Sequence, residues 1–355
     1  MSARFRVGLS ADFLLSTGAT LAPDLGLGVL EGHPGLAYEF MDSEAPEYPP
    51  GQLAPYDVVI SLKPRVTAAS LGSAERLCAI GRCGVGYDNV DLEACTRADV
   101  AVFITPPAVI RPMAESVVLF VLSLSHGLVR KDRLLRAGRW SESLFPLGRE
   151  PRDRTIGFIG LGGIASEAVR LLKPFDPAAI LAHDPYVDPA RAASLGVEIV
   201  GLNDLLLRSD YVVVLCPLTP ETRGLIGAAE LARMKPSAYL INVARGPIVQ
   251  QAALVAALES RQIAGAALDV FEQEPLTDSS NPLLQLDNVV LSSHSIGWTE
   301  ELFRDMGRCD CEGALAVYRG EAPQHVVNPA VLTRPGFARK LERYREAYEG
   351  REAVR

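Results

Sequence analysis

Short apolar runs rich in Val, Ile and Leu recur along the chain, separated by stretches whose apolar positions fall at helical spacing. Such runs read as buried strands. They are predicted at Arg6–Leu9, Val58–Ser61, Leu77–Ile80, Val100–Ile104, Thr155–Ile159, Ile180–His183, Tyr211–Leu215, Tyr239–Asn242, Gly265–Leu268 and Val289–Ser292. Helices fill most of the gaps, and strands alternating with helices are the signature of an α/β fold. No repeat with a period of roughly 20–50 residues is visible, which excludes solenoids and propellers. Segment 41–55 carries four prolines and reads as a loop.

Two breaks organise the pattern. Thr105-Pro106-Pro107 ends a strand, and a long helical pattern opens near Pro112. After His294 the chain runs helically from about Glu300 to Tyr318. The segment between, 109–298, contains six strand–helix alternations, the count of a complete dinucleotide-binding sheet. Residues 1–108 and 299–330 are expected to form a second domain, with the chain passing between domains twice. Residues 331–355 read as a charged helical tail in which nothing suggests chemistry.

Composition sharpens this picture. The length of 355 residues suits two domains, since single cores stop growing at about 250–300 residues. Lys and Arg number 35 against 43 Asp and Glu, a net charge of −8. That argues against nucleic acid as a partner, because such binding rests on phosphate neutralisation. The basic stretch Arg130–Arg139 reads as a solvated helix face. The apolar run Val117–Leu124 is short of the roughly 18–20 residues of a membrane span, and Met1–Ser10 lacks a secretory leader pattern. No membrane partner is therefore expected. Cys78, Cys83, Cys95, Cys216, Cys309 and Cys311 form no CxxC pair beside a histidine. No metal site follows from them, and they read as reduced thiols of a cytoplasmic protein.

Three features carry chemistry. The first is the run Thr155-Ile-Gly-Phe-Ile-Gly160-Leu-Gly162-Gly163-Ile164-Ala165, a strand entering a glycine turn and then a helix. Gly160 permits the tight turn, Gly162 lets a pyrophosphate approach the backbone, and the helix aims free N–H groups at the phosphates. The next strand ends at Asp184, 24 residues after Gly160. A carboxylate there accepts both ribose hydroxyls of NAD and repels a 2′-phosphate; Asp-Pro is equally a turn signal. The second feature is Arg245, after the strand Tyr239–Asn242, where a guanidinium can fork onto a carboxylate and polarise the neighbouring carbonyl. The third is a pair, Glu274 and His294, after the next two strands. A Glu–His pair suits proton transfer near neutral pH, because the carboxylate fixes the tautomer and favours the imidazolium. Taken singly, each has a plainer reading: a surface ion pair, a turn cap, a hydrogen-bonded histidine. All three stand at strand ends of one sheet that also carries a nucleotide turn.

These motifs recur with others in order from about residue 57 to 330. The others are Arg82-Cys-Gly-Val-Gly-Tyr-Asp-Asn-Val-Asp91, Ala114-Glu-Ser116, Pro217-Leu-Thr-Pro-Glu-Thr222, Ile241-Asn-Val-Ala-Arg-Gly246 and Ala267-Leu-Asp-Val-Phe-Glu-Gln-Glu-Pro275. As a set they resemble the D-isomer-specific 2-hydroxyacid dehydrogenase family, which includes phosphoglycerate, glycerate and hydroxypyruvate/glyoxylate enzymes. The resemblance implies a Rossmann-type, doubly wound NAD-binding domain inserted into a smaller flavodoxin-like α/β substrate domain, with a cleft between them. It implies Arg245 as the substrate-binding arginine, Glu274 as the orienting acid and His294 as the acid/base. It implies that backbone amides at Gly84 and Val85 hold the substrate carboxylate. It also implies cofactor contacts at Gly163, Ile164, Asp184, Pro217, Thr222, Val243, Ala244, Asp269 and Gly297. A homodimer through the NAD-binding domain is implied as well, with Pro112–Leu128 in the crossover helix.

The chain departs from the family pattern at Gly163, where many members have a polar residue, and at Ser295 and Trp298, which follow the histidine. Trp298 either narrows the substrate pocket or caps the core. Glu274 argues against formate dehydrogenases, which use an amide there, and Val85 against phosphite dehydrogenases, which use a lysine. Lys63 and Arg65 lie where the phosphoglycerate enzymes direct basic residues toward the substrate's far end; as plain loop charges they would be solvated. The expectation is an NAD-dependent oxidoreductase of a small, possibly phosphorylated D-2-hydroxy acid and its 2-keto acid. The alternatives are a glyoxylate/hydroxypyruvate reductase and, in another class, an NADH-sensing scaffold like the C-terminal-binding corepressors. No additional regulatory domain fits after residue 330.

Overall fold

A computed structural model of the chain describes residues 4–42 and 45–352. It divides into two compact units, one running up to Val109 and resuming at Trp298, the other spanning Ile110–Gly297.

The first unit is built on five strands: β1 (Phe5–Leu9), β2 (Leu36–Phe40), β3 (Val58–Ser61), β4 (Ala79–Arg82) and β5 (Ala101–Ile104). All pair in parallel, in the order β2-β1-β3-β4-β5. β3 is buried at every position, which is what a parallel strand covered on both faces requires. The helix Glu300–Tyr318 is capped by Thr299, whose hydroxyl accepts from Leu302 N at 3.1 Å. The segment expected as a charged tail is helical over Pro335–Glu352 and belongs to this unit; residues 353–355 lie outside the described residues. Phe337 and Tyr344 of that helix are buried, and the Tyr344 hydroxyl donates to Asp57 Oδ1 at 2.7 Å.

The second unit holds seven parallel strands: β6 (Thr155–Ile159), β7 (Ala179–His183), β8 (Glu198–Ile199), β9 (Tyr211–Val214), β10 (Tyr239–Asn242), β11 (Gly265–Leu268) and β12 (Val289–Leu291). Their order is β12-β11-β10-β9-β6-β7-β8. Alternate residues of the central strands enter different core clusters. Phe158, Val213, Ile241 and Ala267 pack with Phe120 and Val121 of the helix Pro106–His126. Val212, Leu240 and Ala266 pack on the other side with Leu254 and Leu258. The period of two thus buries both faces. The register levels one edge: Ile159 faces His183 and Val214, Val214 faces Asn242, Asn242 faces Leu268, and Leu268 faces Leu291.

Several expectations needed correction. β2 and β8 were not anticipated: β2 is a half-buried edge strand and β8 an exposed pair of residues, so neither carries an apolar run. The strand expected at Leu77–Ile80 forms two residues later, because Leu77 and Cys78 are buried before pairing starts. The helix expected from Pro112 opens at Pro106 and keeps Pro112 inside. Pro106 and Pro107 occupy first-turn positions, where a missing N–H has no partner to lose. This helix is long and apolar enough to cross a membrane by length and composition alone, and 56% of its apolar window is buried in the fold.

Candidate functional site

The level edge of the second unit gathers the loops that follow its strands. Gly160 follows β6 with φ +94°, and a Cβ there would stand 2.8 Å from Cys216 N beyond β9, so only glycine fits. At Gly162 a Cβ would meet nothing within 4 Å, which leaves open ground beside the backbone. The ten-residue helix Gly163–Leu172 starts there, with no side chain capping its first turn and Ala165 packed in the core. Ile164 is half-buried. Asp184, after β7, accepts from Leu161 N at 2.8 Å through Oδ2 and from Tyr186 N at 2.9 Å through Oδ1. Asp184 therefore forms its own turn and pins the glycine turn beside it. Burial pushes the Cys216 thiol up to about 11, keeping it neutral.

After β9, the Thr222 hydroxyl donates to Pro217 O at 2.6 Å and accepts from Thr219 N at 2.7 Å, closing that loop on itself. After β10, Val243 is buried and Ala244 half-buried. Asn242 shapes the turn that carries Arg245: its Oδ1 accepts from Ala244 N and its Nδ2 donates to Arg245 O, both at 3.1 Å. Arg245 Nη1 donates to Ala244 O at 2.8 Å. Gly246 brings this turn against the next loop, since a Cβ there would fall 1.9 Å from Phe271 C and O.

Phe271 N donates to Glu274 Oε1 at 2.8 Å, and Glu274 Oε2 lies 2.7 Å from His294 Nδ1. The carboxylate is acceptor-only, so Nδ1 carries the hydrogen and Nε2 is left to exchange a proton. Burial pushes the Glu274 carboxyl up. The His294 hydrogen bond, the Phe271 amide and the charges of His294 and Arg245 outweigh it and hold Glu274 below the usual carboxylate range. His294 itself has φ +55°, an uncommon conformation for a residue with a Cβ. Asp269 imposes it: Asp269 O accepts from His294 N at 2.8 Å, and Oδ1 accepts from Ser295 N at 3.0 Å and Ile296 N at 3.1 Å. Burial pushes the Asp269 carboxyl up, while these amides and the Ser292 side chain pull it back. Gly297 closes the turn against Met113 Sδ, 2.5 Å from where a Cβ would sit. The bracing roles of Asn242 and Asp269 escaped the sequence reading, although a polar residue ending an apolar strand was the available signal.

The remaining substrate-binding candidates lie in the first unit. Gly84 has φ +126°, but its N–H donates to Thr105 Oγ1 at 2.9 Å, and its carbonyl accepts from Thr105 N at 2.9 Å. The Gly84 amide expected for a carboxylate is thus engaged within the fold, and the expectation narrows to Val85, which is half-buried. Lys63 Nζ stands 5.4 Å from the Trp298 ring centroid, and Trp298 packs edge-on to Phe303 at 5.1 Å. Trp298, 38% exposed, both covers apolar surface and seats the Lys63 ammonium. The backbone of Arg65 is fixed by Tyr48 N and Pro46 O at 3.0 and 2.8 Å, and its side chain is exposed. Among the described residues, no group of three or more His, Cys, Asp or Glu is placed to hold a metal ion.

Residues 118–295 match the family model for the NAD-binding domain of D-isomer specific 2-hydroxyacid dehydrogenases. The chain is 39% identical over 272 residues to D-3-phosphoglycerate dehydrogenase of Methanocaldococcus jannaschii, covering 76% of this chain and 51% of that protein. It thus spans about half the length of such phosphoglycerate dehydrogenases. It is 36% identical over 327 residues to glyoxylate reductase of Korarchaeum cryptofilum, covering 89% of this chain and 96% of that one. Among solved structures, it is similar to the NADPH-dependent glyoxylate/hydroxypyruvate reductase of Sinorhizobium meliloti. There the TM-score is 0.77 at 27% identity, over 92% of this chain and 98% of that chain. With these likenesses and the strand-end geometry, the chain belongs to the D-isomer specific 2-hydroxyacid dehydrogenase family.

Proposed function

We propose that this protein is a cytoplasmic, NAD-dependent oxidoreductase that interconverts a small D-2-hydroxy acid and its 2-keto acid. The observation that carries this reading is the 2.7 Å Glu274–His294 pair on the same strand edge as the glycine turn, with the Arg245 turn in backbone contact with the Glu274 loop. The residues fit the cofactor: open ground at Gly162, an uncapped helix start at Gly163 and a carboxylate at Asp184. NADH, when bound, supplies the hydride. Arg245 binds the substrate carboxylate and polarises the adjacent carbonyl. Glu274 holds the His294 ring in one tautomer, and His294 Nε2 delivers a proton to the 2-keto oxygen, or removes it from the alcohol in reverse. Asp269 keeps His294 in its strained turn. Pro217, Thr222, Val243, Ala244, Ile164 and Gly297 line the cofactor side. Asp184 favours NAD over NADP, because a carboxylate repels a 2′-phosphate.

For substrate choice, Val85 offers an amide to the carboxylate, and Lys63 and Arg65 accept an anionic far end. A second reading, glyoxylate or hydroxypyruvate reduction, draws support from the near-complete coverage of a glyoxylate reductase. Exposed Trp140, Phe145 and Leu147, at 65%, 64% and 76%, support a homodimer formed through the NAD-binding unit. The test follows NADH absorbance with glyoxylate, hydroxypyruvate, phosphohydroxypyruvate, pyruvate, 2-oxoglutarate and oxaloacetate. Turnover of one of them is expected. NADH binding with no turnover on any would overturn the enzyme reading in favour of a sensor.

A further inference from the structure

The ends of β1, β3 and β4 enclose a polar cluster that the proposed mechanism does not use. The Ser10 hydroxyl accepts from Leu62 N at 3.0 Å, and the Tyr48 hydroxyl pairs with Ser61 Oγ at 2.9 Å. Beside them Cys83, the first residue after β4, is buried, and its thiol faces the carboxyl of Asp310. Asp310 lies on the buried face of the helix Glu300–Tyr318 and is 0% exposed. Space for its carboxyl exists because residue 81 is glycine: a Cβ there would stand 2.6 Å from Asp310 Oδ1. Neither carboxyl oxygen has a hydrogen-bond partner.

A carboxylate so enclosed would be charged, dry and unpaired, the costliest state for a buried acid. Burial pushes Asp310 up to about 8, although the Cys83 contact and the Arg82 charge pull it down. Asp310 and Asp12 both push the Cys83 thiol up, so neither carboxylate draws a thiolate from it. On its own helix, Asp310 has Cys309 and Cys311 as titratable neighbours. β3 and the turn Leu27–Leu30, which also pack on this helix, carry no ionisable side chain. The helix Pro335–Glu352 meets it at the far end, where Tyr348 packs on Tyr318 and Arg345 Nη2 donates to Gly320 O.

Cys83 precedes Gly84, whose N–H is tied to Thr105. The loop that reaches Val85 is therefore held at Gly84 by Thr105, and the strand that feeds it packs at Gly81 directly against the Asp310 carboxyl. We propose that Asp310 is a positioning residue: as a neutral carboxyl behind Cys83 it keeps the Cys83–Val85 loop in shape for the substrate, and loss of its proton weakens substrate binding while leaving hydride transfer intact. This rests on the reading of Val85 as a substrate-carboxylate contact.

The test compares the full-length protein with Asp310→Asn from pH 6 to 9.5, reading kcat, KM for the accepted keto acid, NADH affinity by calorimetry, and melting temperature. In the unsubstituted protein KM should rise about tenfold per pH unit above pH about 8, while NADH affinity holds and kcat follows the same pH course in both proteins. Asp310→Asn, neutral at every pH, should match it in KM at neutral pH and lose the alkaline rise. Because the folded group titrates above its unfolded value, it binds more protons folded than unfolded. The melting temperature of the unsubstituted protein should therefore fall as pH rises toward 8, and the Asn variant should flatten that slope. An alkaline KM rise that persists in Asp310→Asn, with its melting slope flattened, would overturn the positioning role. Identical melting slopes would overturn the neutral carboxyl itself. If the Asn variant fails to fold, Cys83→Ala serves: raised KM with unchanged kcat supports the link, and unchanged KM overturns it. Absence of turnover on every keto acid, with a flattened slope in Asp310→Asn, would instead sink the functional reading beneath the proposal.

Discussion

The two units present the same architectural edge, the C-terminal ends of parallel strands, and treat carboxylates there in opposite ways. In the NAD-binding unit each acid is met by amides: Asp184 by Leu161 and Tyr186, Asp269 by Ser295 and Ile296, Glu274 by Phe271. In the other unit Asp310 is buried with no hydrogen-bond partner at either carboxyl oxygen. Amides stabilise charge, and their absence in a dry place removes it. The first edge thus meets its acids with backbone donors and holds them rigid. The second edge keeps one neutral, where its proton becomes a variable.

The largest effect in breaking this contrast should come from His294→Ala. Turnover should fall by roughly a hundred- to ten-thousandfold, the usual weight of a general acid, while calorimetry finds NADH binding unchanged. A folded variant that loses NADH binding would remove His294 from the proton-transfer role. Next stands Arg245→Lys, expected to lower kcat/KM by about a hundredfold, because an ammonium cannot reproduce the planar fork; near-normal kinetics would take Arg245 out of the site.

Glu274→Gln should cost less and change the shape of the pH profile. Glu274 titrates lower folded than unfolded, so its contribution to stability is present above the unfolded value and lost as pH falls through the folded one. The acid limb of kcat should therefore vanish in the variant, and the two proteins should converge in melting temperature only in acid. A limb unchanged in Glu274→Gln would assign it elsewhere. The smallest effect belongs to Asp184→Ala, expected to shift preference toward NADP by about tenfold with little change in kcat; an unmoved NAD/NADP ratio would leave Asp184 as a turn former alone.

The NAD-binding edge was legible in the sequence because its strands are covered on both faces and so read as unbroken apolar runs. Their register then fixed where Gly160, Asp184, Arg245, Glu274 and His294 would emerge. β2 and β8 were illegible because edge strands need no apolar run. Asp310 looked like any polar residue of an amphipathic helix; its burial depends on Gly81, in another element. The engagement of the Gly84 amide by Thr105 and the seating of Lys63 on Trp298 join residues far apart in the chain, which no local pattern encodes.

The Lys63–Trp298 contact gives the protein a built-in optical reporter. The chain has two tryptophans, and Trp140, 65% exposed, can be replaced without touching the core. The indole that remains carries an ammonium on its face. An anion that draws Lys63 away would change the emission of that ring before any bond is made or broken. Substrate recognition could then be followed by light, separately from the redox step.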